Sequence, residues 1–148
     1  MSQYSSINTM DFWNEFNEHF VYYLDSMRWK VSSEHSIDNH QYSAELQIVH
    51  KQFATNHQVI ISVLFDEELF IKNRLAKPKT CFIDSFQFPN YQNLVADLEI
   101  PLIEYLQYIP QDFYYYQGSE DVPLCKETVS WIIYKTPQII TTIQRQQL

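Results

Sequence analysis

The chain has 148 residues, 45 % of them hydrophobic, which is one domain's worth of sequence and enough to bury a core. Ten Lys and Arg against eighteen Asp and Glu leave a formal charge of −8, a sign that disfavours nucleic acid or an anionic membrane surface as partner. A single glycine, Gly118, excludes a glycine-rich phosphate loop, and no apolar run is long enough for a direct membrane span.

Residues 1–19, MSQYSSINTMDFWNEFNEH, hold no Lys or Arg, so they lack the basic start of a signal peptide and the arginines of a mitochondrial presequence. They read as an N-terminal extension in which Thr9 caps a short helix with an apolar stripe of Phe12, Trp13 and Phe16. Residues 20–29 read as a strand. Asp38, Asn39 and His40 can bond their own backbone and mark a reversal. Residues 44–50, AELQIVH, then alternate, with Ala44, Leu46, Ile48 and His50 on one face and Glu45, Gln47 and Val49 on the other. Any function is expected on the Glu45 and Gln47 face.

A polar hairpin connection, 51–58, leads into 59–65, VIISVLF, whose unbroken β-branched and aromatic run predicts a central strand buried on both faces. Residues 67–75 suit a helix stopped before Pro78, while 81–83 and 86–88 fit either strand or helix. Leucines at 94, 98, 102 and 106 recur at helical spacing, interrupted by Pro101. Further on, 113–116 is an aromatic segment, 129–134 a strand, and 139–144 a last extended or helical piece. The fold class expected is mainly β, with a few short helices.

Two stretches carry a family resemblance. SEHSID followed by AELQIVH resembles the α-class carbonic anhydrase signature, in which Ser-Glu-His precedes an Ala-Glu-Leu-His strand. Downstream, Tyr116-Gln117-Gly118-Ser119 and the block from Pro123 through Cys125 to Trp131 resemble the family's Tyr-x-Gly-Ser, Pro-Pro-Cys and Val-x-Trp motifs. The likeness covers residues 20–144, within a truncated domain at 20–148, and implies part of a twisted, mostly antiparallel sheet. Glu34, His35, Glu45, His50, Gly118, Ser119, Pro123 and Trp131 are the retained motif positions.

The resemblance also implies a zinc ion on three histidines with an open position for water. One ligand falls at Gln47, and a gapless alignment places the other two, a His-x-His pair on the neighbouring strand, at Tyr22 and Leu24. None is histidine. The threonine that orients the zinc-bound hydroxide in the family is replaced by Asp121, which would then face Glu34 with no cation between them, raising one pKa or driving the pair apart. No cofactor is expected. Of the five histidines, 35 and 50 match structural positions, while 40 and 57 fall in turns and are expected in solvent. Cys81 and Cys125 are expected as free thiols in an intracellular compartment, whether mitochondrial, ciliary or cytosolic.

These readings imply a pseudoenzyme, a non-catalytic structural or accessory subunit whose sheet edges and aromatic surfaces (eleven Tyr, ten Phe) are covered by other protein subunits. One alternative is a module that binds a small molecule or peptide in an emptied cleft formed by Tyr22, Leu24, Gln47 and Val49. Another is a zinc-dependent carbonate dehydratase with a relocated metal site.

Overall fold

The run read as a central strand holds that place, flanked by a partner on each edge. A computed structural model describes residues 3–6, 9–13, 16–53, 55, 57–67, 106, 112–119 and 128–148. In chain order the strands are β1 (Gln3–Ser6), β2 (Thr9–Trp13), β3 (His19–Lys30), β4 (Ser36–Ile37), β5 (His40–Gln41), β6 (Ala44–Lys51), β7 (Gln58–Glu67), β8 (Phe113–Gly118), β9 (Val129–Tyr134) and β10 (Gln138–Ile140), followed by a terminal helix α1 (Thr142–Gln147). The main sheet runs β1-β2-β3-β6-β7-β9-β8, and β10 also pairs with β7. Antiparallel ladders dominate, with β9 and β10 the two parallel neighbours of β7. They occupy successive stretches of one β7 edge, β9 along Gln58 to Ser62 and β10 along Phe65 to Glu67, while β6 takes the other edge.

The expected reversal is the β4–β5 hairpin, whose two connecting residues, Asp38 and Asn39, have φ of 51° and 61°. Both angles positive is the backbone of a type I′ turn, which Asp and Asn tolerate better than bulkier side chains do. The tail resolves into both options left open for it, β10 and then α1, which starts with a capping box between Thr141 and Gln144.

The N-terminal helix expected from Thr9 is instead strand β2, paired antiparallel with β3 from Thr9 against Tyr23 to Trp13 against His19. Met10, fully buried, and Phe12 point into the core with period two, and that alternation outweighs the helical reading of the aromatic stripe. Glu67, the first residue of the helix expected at 67–75, is instead the last residue of β7, and the expectations for residues 68–105, for Pro110 and for both cysteines lie outside the described residues. No described helix is long and apolar enough to cross a membrane.

The sheet separates two environments. On one face Ala44, Leu46 and Ile48 of β6 join Val59, Ile61 and Phe65 of β7 in the main apolar cluster. On the other, Val49, Ile60, Val129 and Trp131 form a smaller apolar wall beside Glu45 and Gln47, both fully buried.

Candidate functional site

Glu45 is the centre of a closed polar network. Being on β6 with its neighbours turned into the core, it is carried to the other face by strand alternation alone. Oε2 accepts from the backbone N–H groups of Glu34 and His35 at 2.9 and 3.0 Å. Oε1 accepts from His35 Nδ1 at 2.7 Å, Ser62 Oγ at 2.8 Å and Gln47 Nε2 at 3.1 Å. The turn presenting Glu34 and His35 is itself fixed, since Ser33 N–H donates to the Tyr42 carbonyl and Ser33 Oγ accepts from Tyr42 N–H. Burial alone would push the Glu45 carboxyl up. The hydrogen bonds and charge of His35, joined by Ser62, more than reverse this and hold its pKa at about 2.

Gln47 ties the two carboxylates together. Its Nε2 donates to Glu34 Oε2 at 2.9 Å as well as to Glu45 Oε1. Because both partners only accept, the amide is fixed with nitrogen toward them and Oε1 turned away. Gln47 Oε1 is buried with no hydrogen-bond partner among the described residues. Glu34 Oε1 takes Lys30 Nζ at 2.6 Å, so a cation accompanies that carboxylate. The Asp121 expected to face it lies outside the described residues, as does Pro123.

The gapless placement of Tyr22 and Leu24 beside Gln47 does not hold. A bulge at Asp25 inserts one extra residue in β3 between the pairs Leu24 with His50 and Ser26 with Val49. One inserted residue switches the parity of alternation. Tyr22 and Leu24 therefore pack into the main apolar cluster, on the face opposite Gln47. The β3 residues past the bulge that share the Gln47 face are Ser26, opposite Val49, Arg28, opposite Gln47 itself, and Lys30, opposite Glu45. The cleft expected between Tyr22, Leu24, Gln47 and Val49 is not formed by those four residues.

His35 links Glu45 to the aromatic strand. His35 Nδ1 donates to Glu45 Oε1, and Nε2 lies 2.7 Å from the Tyr116 hydroxyl, within hydrogen-bond distance. The Tyr116 ring stacks parallel to Trp131 at 6.2 Å, and His35 meets Trp131 edge-on at 4.7 Å. Trp131 Nε1 donates to the Ser119 carbonyl at 3.3 Å. Gly118 makes this stack possible, since a Cβ there would lie 2.8 Å from Tyr116 Cε2 and 3.3 Å from Trp131 Cδ1. Gly118→Ala is therefore expected to cost about 1–3 kcal/mol. A urea titration checks it, and a loss within error of zero would mean that the stack shifts freely.

The remaining histidines divide by burial. His50 is fully buried at the end of β6, and that burial pulls its pKa down to about 4. His40, the first residue of β5 and not one of the turn residues, is exposed as expected and bonds Asp66 at 3.1 Å. His57, expected in solvent, is instead hydrogen-bonded to Tyr22 and Ser130. Among the described residues no three His, Cys, Asp or Glu side chains are gathered in a way that could hold a metal.

A curled mixed sheet with few helices is the architecture of the carbonic anhydrase fold. Residues 13–148 match the profile of the eukaryotic-type carbonic anhydrases, beginning before the limit at residue 20 read from motifs, and the chain belongs to that family. It is 28 % identical over 122 residues to carbonic anhydrase Nec1 of Nesocodon mauritianus, covering 78 % of this chain and 42 % of that protein. Dioscorin dioA3 of Dioscorea japonica is 26 % identical over 129 residues, covering 86 % and 44 %. Among solved structures, the α-carbonic anhydrase of Photobacterium profundum superposes with a TM-score of 0.72 at 19 % identity, covering 97 % of this chain and 61 % of that one. The chain thus spans less than half the length of these curated relatives.

The residues on the Gln47 face do not fit the zinc that the family implies. Ser26, Arg28 and Gln47 offer a hydroxyl, a guanidinium and an amide oxygen in place of imidazoles, and a guanidinium repels a divalent cation. Introducing Ser26→His, Arg28→His and Gln47→His together is expected to create stoichiometric zinc binding, measured by equilibrium dialysis and metal analysis. Tyr22→His, Leu24→His and Gln47→His together should bind none, because their side chains leave opposite faces of the sheet. Zinc held by the second set alone would overturn the register.

Proposed function

We propose that this chain is a non-catalytic carbonic anhydrase relative, a pseudoenzyme serving as a structural or accessory subunit of an intracellular protein assembly. The observation that carries the reading is Gln47. The side chain at the place of a zinc ligand spends both N–H groups on two carboxylates, and its neighbours Val49, Ile60 and Trp131 are buried on the same face. A filled, cross-tied face suits a scaffold better than a site that must admit substrate. The subunit role is supported by β8, where the successive aromatics Phe113, Tyr114, Tyr115 and Tyr116 are 40–46 % exposed. Three of these rings are held in place, Tyr114 beneath Lys135 Nζ at 4.8 Å, Tyr115 stacked on Phe12 and Tyr116 on Trp131. Rigid, half-exposed tyrosines give contact area at low entropic cost.

The test is the native size of the protein in a gently prepared extract, by size-exclusion chromatography with mass spectrometry of co-eluting proteins. Elution within a large complex of defined composition is the expected result. Elution near the 17.8 kDa of one chain, free of partners, would contradict the subunit role.

A further inference from the structure

The main apolar face holds a second polar cluster, apart from the Glu45 network. His57 lies in the connection between β6 and β7, with Nδ1 2.9 Å from Tyr22 Oη on β3 and Nε2 3.3 Å from Ser130 Oγ on β9. Ser130 Oγ is in turn 3.3 Å from Tyr115 Oη on β8. The imidazole also meets the Tyr22 ring edge-on at 5.8 Å. Phe12 of β2 packs on both phenols, edge-on to Tyr22 at 6.0 Å and stacked on Tyr115 at 6.2 Å. One side chain thus joins three strands and the β6–β7 connection at one end of the sheet.

Hydrogen accounting favours the neutral ring. With its one N–H on Nε2, the neutral ring satisfies the chain of groups: Tyr22 Oη–H donates to Nδ1, Nε2–H donates to Ser130 Oγ, and Ser130 Oγ–H donates to Tyr115 Oη. A second proton makes both ring nitrogens donors. Tyr22 Oη must then accept, and its own hydrogen loses the His57 acceptor inside a cluster where Tyr22 is only 3 % exposed. The groups facing His57 are the Tyr22 phenol from β3 and the Ser130 hydroxyl from β9, with the Tyr115 phenol of β8 behind Ser130 and Phe12 the contribution of β2. Within its own connection, His57 N–H donates to Thr55 Oγ1 at 3.2 Å and its carbonyl accepts from Gln52 N–H at 3.2 Å. Among the described residues neither ring nitrogen bonds a carboxylate, so the imidazolium would have neutral partners only. Tyr22 stays a neutral phenol, its pKa pushed up to about 12 by burial and then by Tyr115.

We propose that His57 is a pH-sensitive latch that, while neutral, ties the exposed aromatic strand β8 to β3 through Ser130 and Tyr115, and on protonation lets go. Burial holds the His57 pKa below its ordinary value. The folded state therefore binds fewer protons than the unfolded one, and the latch is intact above about pH 6.5 and weakens as pH falls below it. The device would couple the packing of the aromatic strand to the acidity of its surroundings.

Amide hydrogen exchange of the full chain, read by mass spectrometry at about pH 7.5 and about pH 5.5 and corrected for the intrinsic rate, tests this. The expected result is several-fold faster exchange at the lower pH in β8, the start of β9 and the first half of β3, with β6 and the middle of β7 unchanged. His57→Gln, which keeps a donor and an acceptor but does not titrate in this range, should remove the difference. Protection of β8 that ignores pH, or a pH effect that survives His57→Gln, would overturn the proposal. So would a loss spread evenly over all strands, which is global unfolding. If His57→Gln fails to fold, Tyr115→Phe serves instead. It should speed β8 exchange already at the higher pH and leave little further change at the lower, and wild-type behaviour in it would count equally against the latch.

Discussion

Glu45→Gln is expected to destabilise the fold by about 3–5 kcal/mol, the usual cost of removing one partner from a buried charged arrangement. The substitution conserves shape, so no cavity contributes. What it changes is the pattern of donors. Oε2 receives two backbone N–H groups and Oε1 receives three side-chain donors, so an NH₂ on either side points hydrogens at hydrogens. The Ser33–Tyr42 hydrogen bonds hold the turn that supplies two of those donors, so it cannot withdraw without breaking them. Against a typical total stability of about 5–15 kcal/mol, the variant should be folded only marginally. Equilibrium urea unfolding measures the difference, and a loss below about 1 kcal/mol, the worth of a single ordinary hydrogen bond, would mean that the network does not act as a unit.

Acid should unfold the protein in two stages, each assigned to a buried group. His50 has a folded-state pKa of about 4 against an ordinary value of 6.5. The unfolded chain therefore binds the extra proton first, and the stability this group contributes is complete above 6.5 and lost as pH falls toward 4. The shift corresponds to on the order of 3 kcal/mol, and His57, also lowered by burial, adds loss in the same direction. Glu45, with a folded pKa of about 2 against 4.5, supplies the second stage, in which stability held above 4.5 drains as pH falls toward 2. Measured stability against pH should thus show a shallower limb beginning near neutrality and a further one below 4.5. His50→Asn should shrink the first and leave the second. A profile flat from neutrality to pH 4.5 would contradict the burial of both histidines as charge-free groups.

Much of this architecture is legible in the residues because strand periodicity is a local signal. The alternation AELQIVH placed Glu45 and Gln47 together on one face, and the apolar run 59–65 announced its central position. Asp38 and Asn39 marked a turn that only residues tolerant of positive φ make easily. The failures come from features that local pattern does not encode. Phe12, Trp13 and Phe16 fit a helical stripe as well as a strand, and only pairing with β3 decides between them. The bulge at Asp25 has no glycine or proline to betray it. It is fixed by how the two halves of β3 pair with β6, and it moves Tyr22 and Leu24 to the wrong face for a ligand set. Ser26 and Arg28 could have been found by letting the alignment slip by four residues before Ser-Glu-His, since they repeat the same x-spaced pair. His57 departs from the solvent position a hairpin connection suggests, because the half-buried ring bonds Tyr22 and Ser130. Glu45 was visible as a motif position, but its part as the acceptor of five donors depends on a turn eleven residues upstream.

The central claim is that the Gln47 face is a structural tie with no metal centre. Equilibrium dialysis of the 148-residue chain against zinc, followed by metal analysis, tests it most directly. The account predicts no stoichiometric zinc and no change on Gln47→Ala beyond a loss of stability. One zinc per chain, abolished by that same substitution, would contradict it.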